Sequence, residues 1–150
     1  MNKLKISIFK RSPDAVIPTV AYNGTSACFD ITATETIMIP AKGSAMVENG
    51  LFIEIPHGYY MQLQCRSGLA IKHDLQVHQG VLDTGYTGPL GVKIFNHGNN
   101  DITINKGDRY VQAGFHEVIP IEFEEINQEQ FEQLQNESVR GDKGWGSSGK

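Results

Sequence analysis

Short runs in which apolar and polar residues alternate recur along this chain, and no other feature restricts its fold as strongly. Leu4, Ile6 and Ile8 alternate with Lys5 and Ser7, and Leu51, Ile53 and Ile55 with Phe52 and Glu54. Tyr59, Met61, Leu63 and Cys65 alternate with Tyr60, Gln62 and Gln64, and Leu90, Val92 and Ile94 with Gly91 and Lys93. A period of two sends successive side chains to opposite faces of a strand, so each run suits a half-buried β-strand. Turn chemistry bounds the runs, as in "PAKGS", "IPHGY" and "NHGNND". Many short strands at near-regular spacing predict an all-β sandwich or barrel. Helical spacing is confined to Phe123, Ile126, Phe131 and Leu134, where a short helix competes with a loop.

At 150 residues the chain is long enough to bury an ordinary core as one domain. No apolar run reaches the length of a membrane-spanning helix. "MNKLKISIFK" alternates where a signal peptide would be continuously apolar. A cytoplasmic protein is therefore expected, or one of the nucleus or host cytoplasm if the source is viral. Cys28 and Cys65 form no CxxC pair and are expected as buried free thiols in a reducing compartment. A formal net charge of −4 without a basic stripe argues against direct nucleic-acid binding. It leaves room for a small anionic ligand, which a few arginines, backbone N–H groups and a metal ion can hold locally.

Residues 78–98, "HQGVLDTGYTGPLGVKIFNHG", hold one carboxylate, Asp83, in a glycine-punctuated stretch that reads as a hairpin. Asp83 is either a turn former or a general base. Residues 140–150, "RGDKGWGSSGK", have little to anchor a strand, so the chain divides into a β domain over 1–139 and a tail over 140–150. The sole Trp, Trp145, is out of place in a plain linker, because exposing a large apolar ring is unfavourable. "GWGSSGK" imitates part of a P-loop but lacks the hydroxyl residue and helix that must follow it, and "RGD" at 140–142 is coincidence. His57, His73, His78, His97 and His116 are scattered without zinc-ligand spacing and are expected in solvent or loop roles. "EFEEINQEQFEQ" reads as a solvated acidic face.

Five segments follow one another: "ACFDI" at 27–31, "RSGLAIKHDL" at 66–75 on an expected turn, the 78–98 hairpin, "GDRYVQAGF" at 107–115 and the tail. Their order and spacing resemble, nearly end to end, the five motifs of the trimeric dUTPase family (deoxyuridine triphosphate nucleotidohydrolases). "RSGLA", "GVLD" with Tyr86, and Arg140 with the following "GWGSSG" are the most specific parts. The resemblance implies a jelly-roll-like β-barrel and a homotrimer with sites shared between subunits. It also implies Mg²⁺-assisted hydrolysis of dUTP to dUMP and pyrophosphate, which keeps uracil out of DNA and supplies dUMP for dTMP synthesis.

Carried over by position, the resemblance makes Asp83 the water-activating carboxylate and sets Tyr86 under the deoxyribose, leaving no room for a 2′-hydroxyl. It gives Gly80 and Gly91 backbone contact with the uracil edge. Arg66, Ser67, Gly68 and Gln112 become phosphate contacts, and Arg140 reaches the terminal phosphate. Trp145 stands where the family usually stacks Phe on uracil, with Gly146, Ser147 and Ser148 along the phosphates, so that the tail closes over the site. Asp30 matches the first-motif acid, an indirect support for Mg²⁺, which is held mainly by the substrate phosphates. Cys65, Gly85 and Thr87 depart from the family's usual Pro, Asp, and Arg or Gln. Gly85 also occurs in the related dCTP deaminase branch. That relative, and a non-catalytic nucleotide-binding regulatory module on the same fold, are the alternatives.

The implied chemistry suits these residue types. Attack of water on a triphosphate needs charge neutralisation, in-line geometry and a proton acceptor. Arginine supplies bidentate contacts that lysine does not match. Glycine lets a base approach the backbone, and a tight slot leaves polar groups unpaired when the wrong base enters.

Overall fold

The computed structural model describes residues 3–143. The chain forms two compact units, Met1–Ile119 and Pro120–Lys150. The first contains β1 (Ile8–Lys10), the single turn α1 (Ala21–Gly24), β2 (Phe29–Thr32), β3 (Ile37–Ile39), β4 (Ser44–Val47), β5 (Leu51–Ile53) and β6 (Tyr59–Gln64). It continues through α2 (Ser67–His73), β7 (Leu75–Val77), β8 (Val81–Leu82), β9 (Val92–Asn96), β10 (Ile102–Ile104) and β11 (Arg109–Glu117). The strands pair antiparallel in four sheets: β1-β5, β10-β3, β2-β11-β6-β8 and β4-β9-β7. Together they form the expected jelly-roll-like all-β architecture.

The alternation becomes a core. Met61 and Leu63 of β6 are buried while Tyr60, Gln62 and Gln64 lie on the other face, and Val92 and Ile94 of β9 are buried with Lys93 exposed. They join Ile31, Ile39, Val47, Leu51 and Val111 in one cluster. Burying each such side chain contributes roughly 1.5–3 kcal/mol. The N-terminal run is shorter than its pattern predicts: pairing with the β5 side extends back only to the Ser7 carbonyl, which accepts from Glu54 N–H at 2.9 Å. Leu4 remains exposed.

β11 breaks its own period. Tyr110 and Val111 are adjacent and both buried, because the register against β2 shifts between Arg109 and Val111. A bulge adds one residue on one strand and re-aims the side chains beside it. It sends the Tyr110 ring inward while Arg109 stays exposed.

Other expectations need correction. Arg66, Ser67 and Gly68 begin the helix α2 instead of a turn: Leu69 and Ala70 N–H both bond the Arg66 carbonyl, and left-handed Asp74 closes the far end. Leu69 packs against the core, which gives this seven-residue helix its tertiary anchor. Cys28 and Cys65 are free but half-buried, since both lie near strand ends. His116 is not in a loop and only half-exposed: it stands on β11, stacks on Tyr60 at 5.0 Å, and its Nε2 is buried without a partner.

In the second unit the short helix forms as α3 (Gln128–Glu137), beginning later than the Phe123 pattern. Asn127 and Gln130 make a reciprocal capping box, with both bonds at 2.9 Å, and this sets the start. Phe123, Phe131 and Leu134 are exposed within this unit, as are the glutamates around them.

Two buried polar side chains stitch the first unit together. Asn96 donates to the Ile39 and Asn100 carbonyls at 3.0 and 2.9 Å and accepts from Gly98 N–H at 2.9 Å. Asn49 donates to the Leu90 carbonyl and, at 3.1 Å, to the Tyr110 hydroxyl, and accepts from Leu51 N–H at 3.1 Å. The Tyr110 hydroxyl donates to the Val47 carbonyl at 3.0 Å. Left unpaired, such groups cost roughly 1–3 kcal/mol each. Burial pushes the Tyr110 phenol far above its ordinary range; the Asn49 bond opposes the shift and the charge of Glu48 adds to it.

An unfolded chain releases a phenolic proton near pH ~10, whereas the folded state keeps that of Tyr110. The folded state then binds more protons, so stability falls as pH rises above that point, by up to about 1.4 kcal/mol per pH unit. Urea denaturation from neutral to strongly alkaline pH should reveal this slope, and Tyr110→Phe should flatten it.

Candidate functional site

The 78–98 segment is a hairpin split at its mouth. Its base is ordinary: β7 pairs with β9 from Leu75↔Asn96 to Val77↔Ile94, and His78 N–H bonds the Lys93 carbonyl at 2.9 Å. Beyond this point the limbs part. The Gly80 carbonyl accepts from Leu63 N–H at 3.0 Å, and β8 joins β6 in a different sheet. Between the limbs opens a cleft of about 270 Å³ lined by Gly80, Asp83, Tyr86, Leu90 and Gly91 together with Leu63. Four of the residues expected to bind or act on a ligand thus meet in one place.

The loop at the mouth has firm internal geometry. Tyr86 N–H bonds the Asp83 carbonyl at 3.2 Å, and Gly85 takes a φ of +84°, where a side chain would be strained. The Thr84 hydroxyl donates to the Pro56 carbonyl at 3.0 Å, and the Arg11 guanidinium donates to the Thr87 carbonyl. The Asp83 carboxylate is exposed at the mouth. Tyr86 donates from its hydroxyl to the Pro89 carbonyl at 2.9 Å, is 44% exposed and lines the cleft.

The glycines differ in what they do. A Cβ on Gly80 would meet only Leu63, at an ordinary 3.5 Å, and neither Gly80 nor Gly91 has left-handed backbone. Turn geometry therefore does not demand glycine at Gly80. A Cβ on Gly88 would stand 2.5 Å from the Tyr86 hydroxyl oxygen and 2.7 Å from Cζ.

A second cavity, of about 500 Å³, is lined by Asp30, Arg66, Ser67, Gly68, Arg109 and Gln112, with Cys28 also on its wall. The Asp30 carboxylate joins both arginines: Arg66 Nε lies 2.9 Å from one oxygen and Arg109 Nη1 3.1 Å from the other. Arg66 also donates to the Arg109 carbonyl at 2.6 Å, and Gln112 Nε2 to the Cys65 carbonyl at 2.9 Å. The pairs are partly exposed, so they add little stability, but they orient two guanidinium groups in one polar recess. An anion with several oxygens suits such a recess. Both Asp30 oxygens are engaged by arginine, which leaves this carboxylate poorly disposed to ligate a cation directly. Among the described residues, no cluster of three or more His, Cys, Asp or Glu could hold a metal ion.

Arg109 escaped the reading of the sequence. Its signal was its register position opposite Thr32, beside Asp30, which emerges only once β2 and β11 are paired. Arg140 belongs to the second unit, where its Nε donates to the Lys143 carbonyl at 2.9 Å. Trp145, Gly146, Ser147 and Ser148 lie outside the described residues.

These features define an all-β protein of jelly-roll-like architecture that gathers glycines, two carboxylates and an arginine pair into two recesses at strand ends. The family profile described as dUTPase matches residues 14–149, and the chain belongs to that family. The deoxyuridine 5′-triphosphate nucleotidohydrolase of Kluyveromyces lactis is 39% identical over 149 residues, spanning 99% of this chain and 95% of that protein. The protein of the same name from Oryza sativa subsp. japonica is 38% identical over 144 residues, spanning 96% and 80%. The dUTPase of Staphylococcus bacteriophage 80alpha, solved with dUPNHPP, superposes with a TM-score of 0.87 at 26% identity, covering 99% of this chain and all (100%) of that one. The dUTPase of phage phi11 of S. aureus, which coordinates a structural Mg(II) ion, shares the fold with a TM-score of 0.77 at 23% identity, over 83% and 98% of the two chains. No helix among the described residues is long and apolar enough to cross a membrane.

Gly88→Ala should drive the Tyr86 ring off its present position and break its bond to Pro89. Because that ring is exposed and can swing aside, urea denaturation should register a loss of about 0.5–1.5 kcal/mol, that of the one hydrogen bond, and Gly80→Ala should change stability by less than about 1 kcal/mol.

Proposed function

We propose that this chain hydrolyses dUTP to dUMP and pyrophosphate, keeping uracil out of DNA and supplying dUMP for dTMP synthesis. What carries the reading is the single carboxylate of Asp83 at the mouth of a cleft lined by Gly80, Gly91 and Tyr86, in a chain of the dUTPase family. Relatives named for this reaction are 38–39% identical over nearly the whole chain.

Uracil enters the split hairpin and pairs with backbone groups at Gly80 and Gly91, much as a neighbouring strand would. Tyr86 lies under the deoxyribose and excludes a 2′-hydroxyl. Asp83 orients a water and takes its proton as the water oxygen bonds the α-phosphorus. The bond from that phosphorus to the bridging oxygen breaks, and pyrophosphate leaves. General-base assistance of this kind contributes roughly 10²–10⁴-fold.

Arg66, Ser67, Gly68 and Gln112 bind the phosphates, and Asp30 holds Arg66 and Arg109 in place for them. Mg²⁺, carried in mainly by the phosphates, supplies charge neutralisation, and Asp30 supports it only indirectly. Arg140 reaches the terminal phosphate. The 140–150 tail closes over the nucleotide, with Trp145 on the base and Gly146, Ser147 and Ser148 along the phosphates.

The base cleft and the arginine recess are separate cavities of the first unit, and the residues lining them do not overlap. That separation is compatible with the homotrimer that the family resemblance implies, in which one subunit's Asp83 cleft and another's arginine recess together hold one nucleotide. Sharing the site in this way lets each subunit stay rigid while the substrate bridges them.

Pyrophosphate release, measured with Mg²⁺ on dUTP and the four ordinary deoxynucleoside triphosphates, should be confined to dUTP; preference for dCTP, or no release from dUTP, overturns the reading. Asp83→Asn should keep dUPNHPP binding and lose roughly 10²–10⁴ in turnover. Unchanged turnover removes Asp83 from the role of base.

A further inference from the structure

Asn49 has no exposed surface and is not among the residues lining the base cleft. It occupies the turn between β4 and β5, yet one of its three bonds reaches 41 positions along the chain to the Leu90 carbonyl in the cleft wall. The other two tie it to Leu51 N–H and to the Tyr110 hydroxyl, which is itself bonded to Val47. The side chain is thus braced from both flanks of its own turn and from the central strand β11. The preceding carbonyl of the wall, that of Pro89, accepts from the Tyr86 hydroxyl.

A peptide unit is planar, and in a trans unit the carbonyl and the following N–H point in opposite directions. No cis peptide occurs among the described residues. Leu90 O is drawn inward to a fully buried amide, so the N–H of the same unit, that of Gly91, faces the other way. Leu90 and Gly91 both line the cleft.

We infer that Asn49 is a positioning residue for base selection, holding the Leu90–Gly91 peptide so that the Gly91 N–H is offered to the cleft as a donor. A donor there bonds the 4-carbonyl oxygen of uracil, which accepts, and meets the 4-amino group of cytosine donor against donor. Burial of a polar donor without its partner is costly, so the wrong base is rejected by what it leaves unpaired. The inference rests on the reading of the cleft as a uracil site. Tyr110, by contrast, steadies Asn49 without touching the wall peptide.

Val and Thr have nearly the same shape and differ by a hydroxyl, so Asn49→Val and Asn49→Thr separate hydrogen bonding from packing. In the full-length protein, Asn49→Val should raise KM for dUTP about 10-fold, with kcat within about threefold, and lower the dUTP-to-dCTP ratio of kcat/KM by about 10-fold or more. Asn49→Thr, which keeps a donor, should recover most of that ratio. A folded Asn49→Val protein with the native ratio overturns the inference. If that variant does not fold, the native protein still tests it. During titration with dUMP, the side-chain amide resonances of Asn49 should shift and saturate together with the Gly91 amide, and should do neither with dCMP. Saturation at Gly91 with the Asn49 amide unmoved overturns the inference. No shift at either Gly91 or Tyr86 on adding dUMP withdraws the uracil reading itself, and the role of Asn49 with it.

Discussion

The pairing of Gln112 with Asp30 on one side and Gln64 on the other is the constraint on which the rest of the first unit depends. This single row of backbone pairing sets β2, β11 and β6 in register. It places Ile31, Ala113 and Leu63 toward the core and leaves Asp30 and Gln112 on the recess. Because strand side chains repeat with a period of two, a slip of one residue would turn that arrangement inside out. Asp30 would then enter the apolar cluster, and Arg66 and Arg109 would face each other without the carboxylate between them. The anionic bridge of the recess and the hydrophobic core are therefore enforced by one register.

Two departures from regular strand geometry shape this scaffold around the base cleft. The bulge beside Tyr110 allows two consecutive inward side chains, and so puts a phenol in the interior next to Asn49. The parting of the β7–β9 hairpin above His78 leaves an opening where a continuous ladder would have been closed. Both are local failures of the pattern that built the strands around them. Irregularity of this kind concentrates where a fold does something besides hold itself together.

The strands that alternate cleanly were legible from residues alone. β6 and β9 read as they fold, because a single face of each is buried and nothing competes with the period. α2 was not legible: "SGLAIKH" is too short for a helical period to declare itself, and only its contact with the core through Leu69 settles it. Among the site residues, Gly80, Asp83, Tyr86 and Gly91 come together in one cleft, and Asp30, Arg66, Ser67, Gly68 and Gln112 line another. Arg109 and Asn49 stayed hidden for a common reason. Each acts on a partner distant along the chain, 79 positions away for Arg109 and 41 for Asn49, and no local pattern encodes such a distance.

The split hairpin has a consequence for how this protein tolerates change. One jaw of the cleft is anchored to the sheet of β6 and the other to the sheet of β9, so its gape reports how those two layers lean on each other. Substitutions deep between the layers, at residues that never approach a nucleotide, act on the jaws as a screw acts on a calliper. Descent with modification in the core can therefore retune the grip on a base while every residue at the rim stays the same.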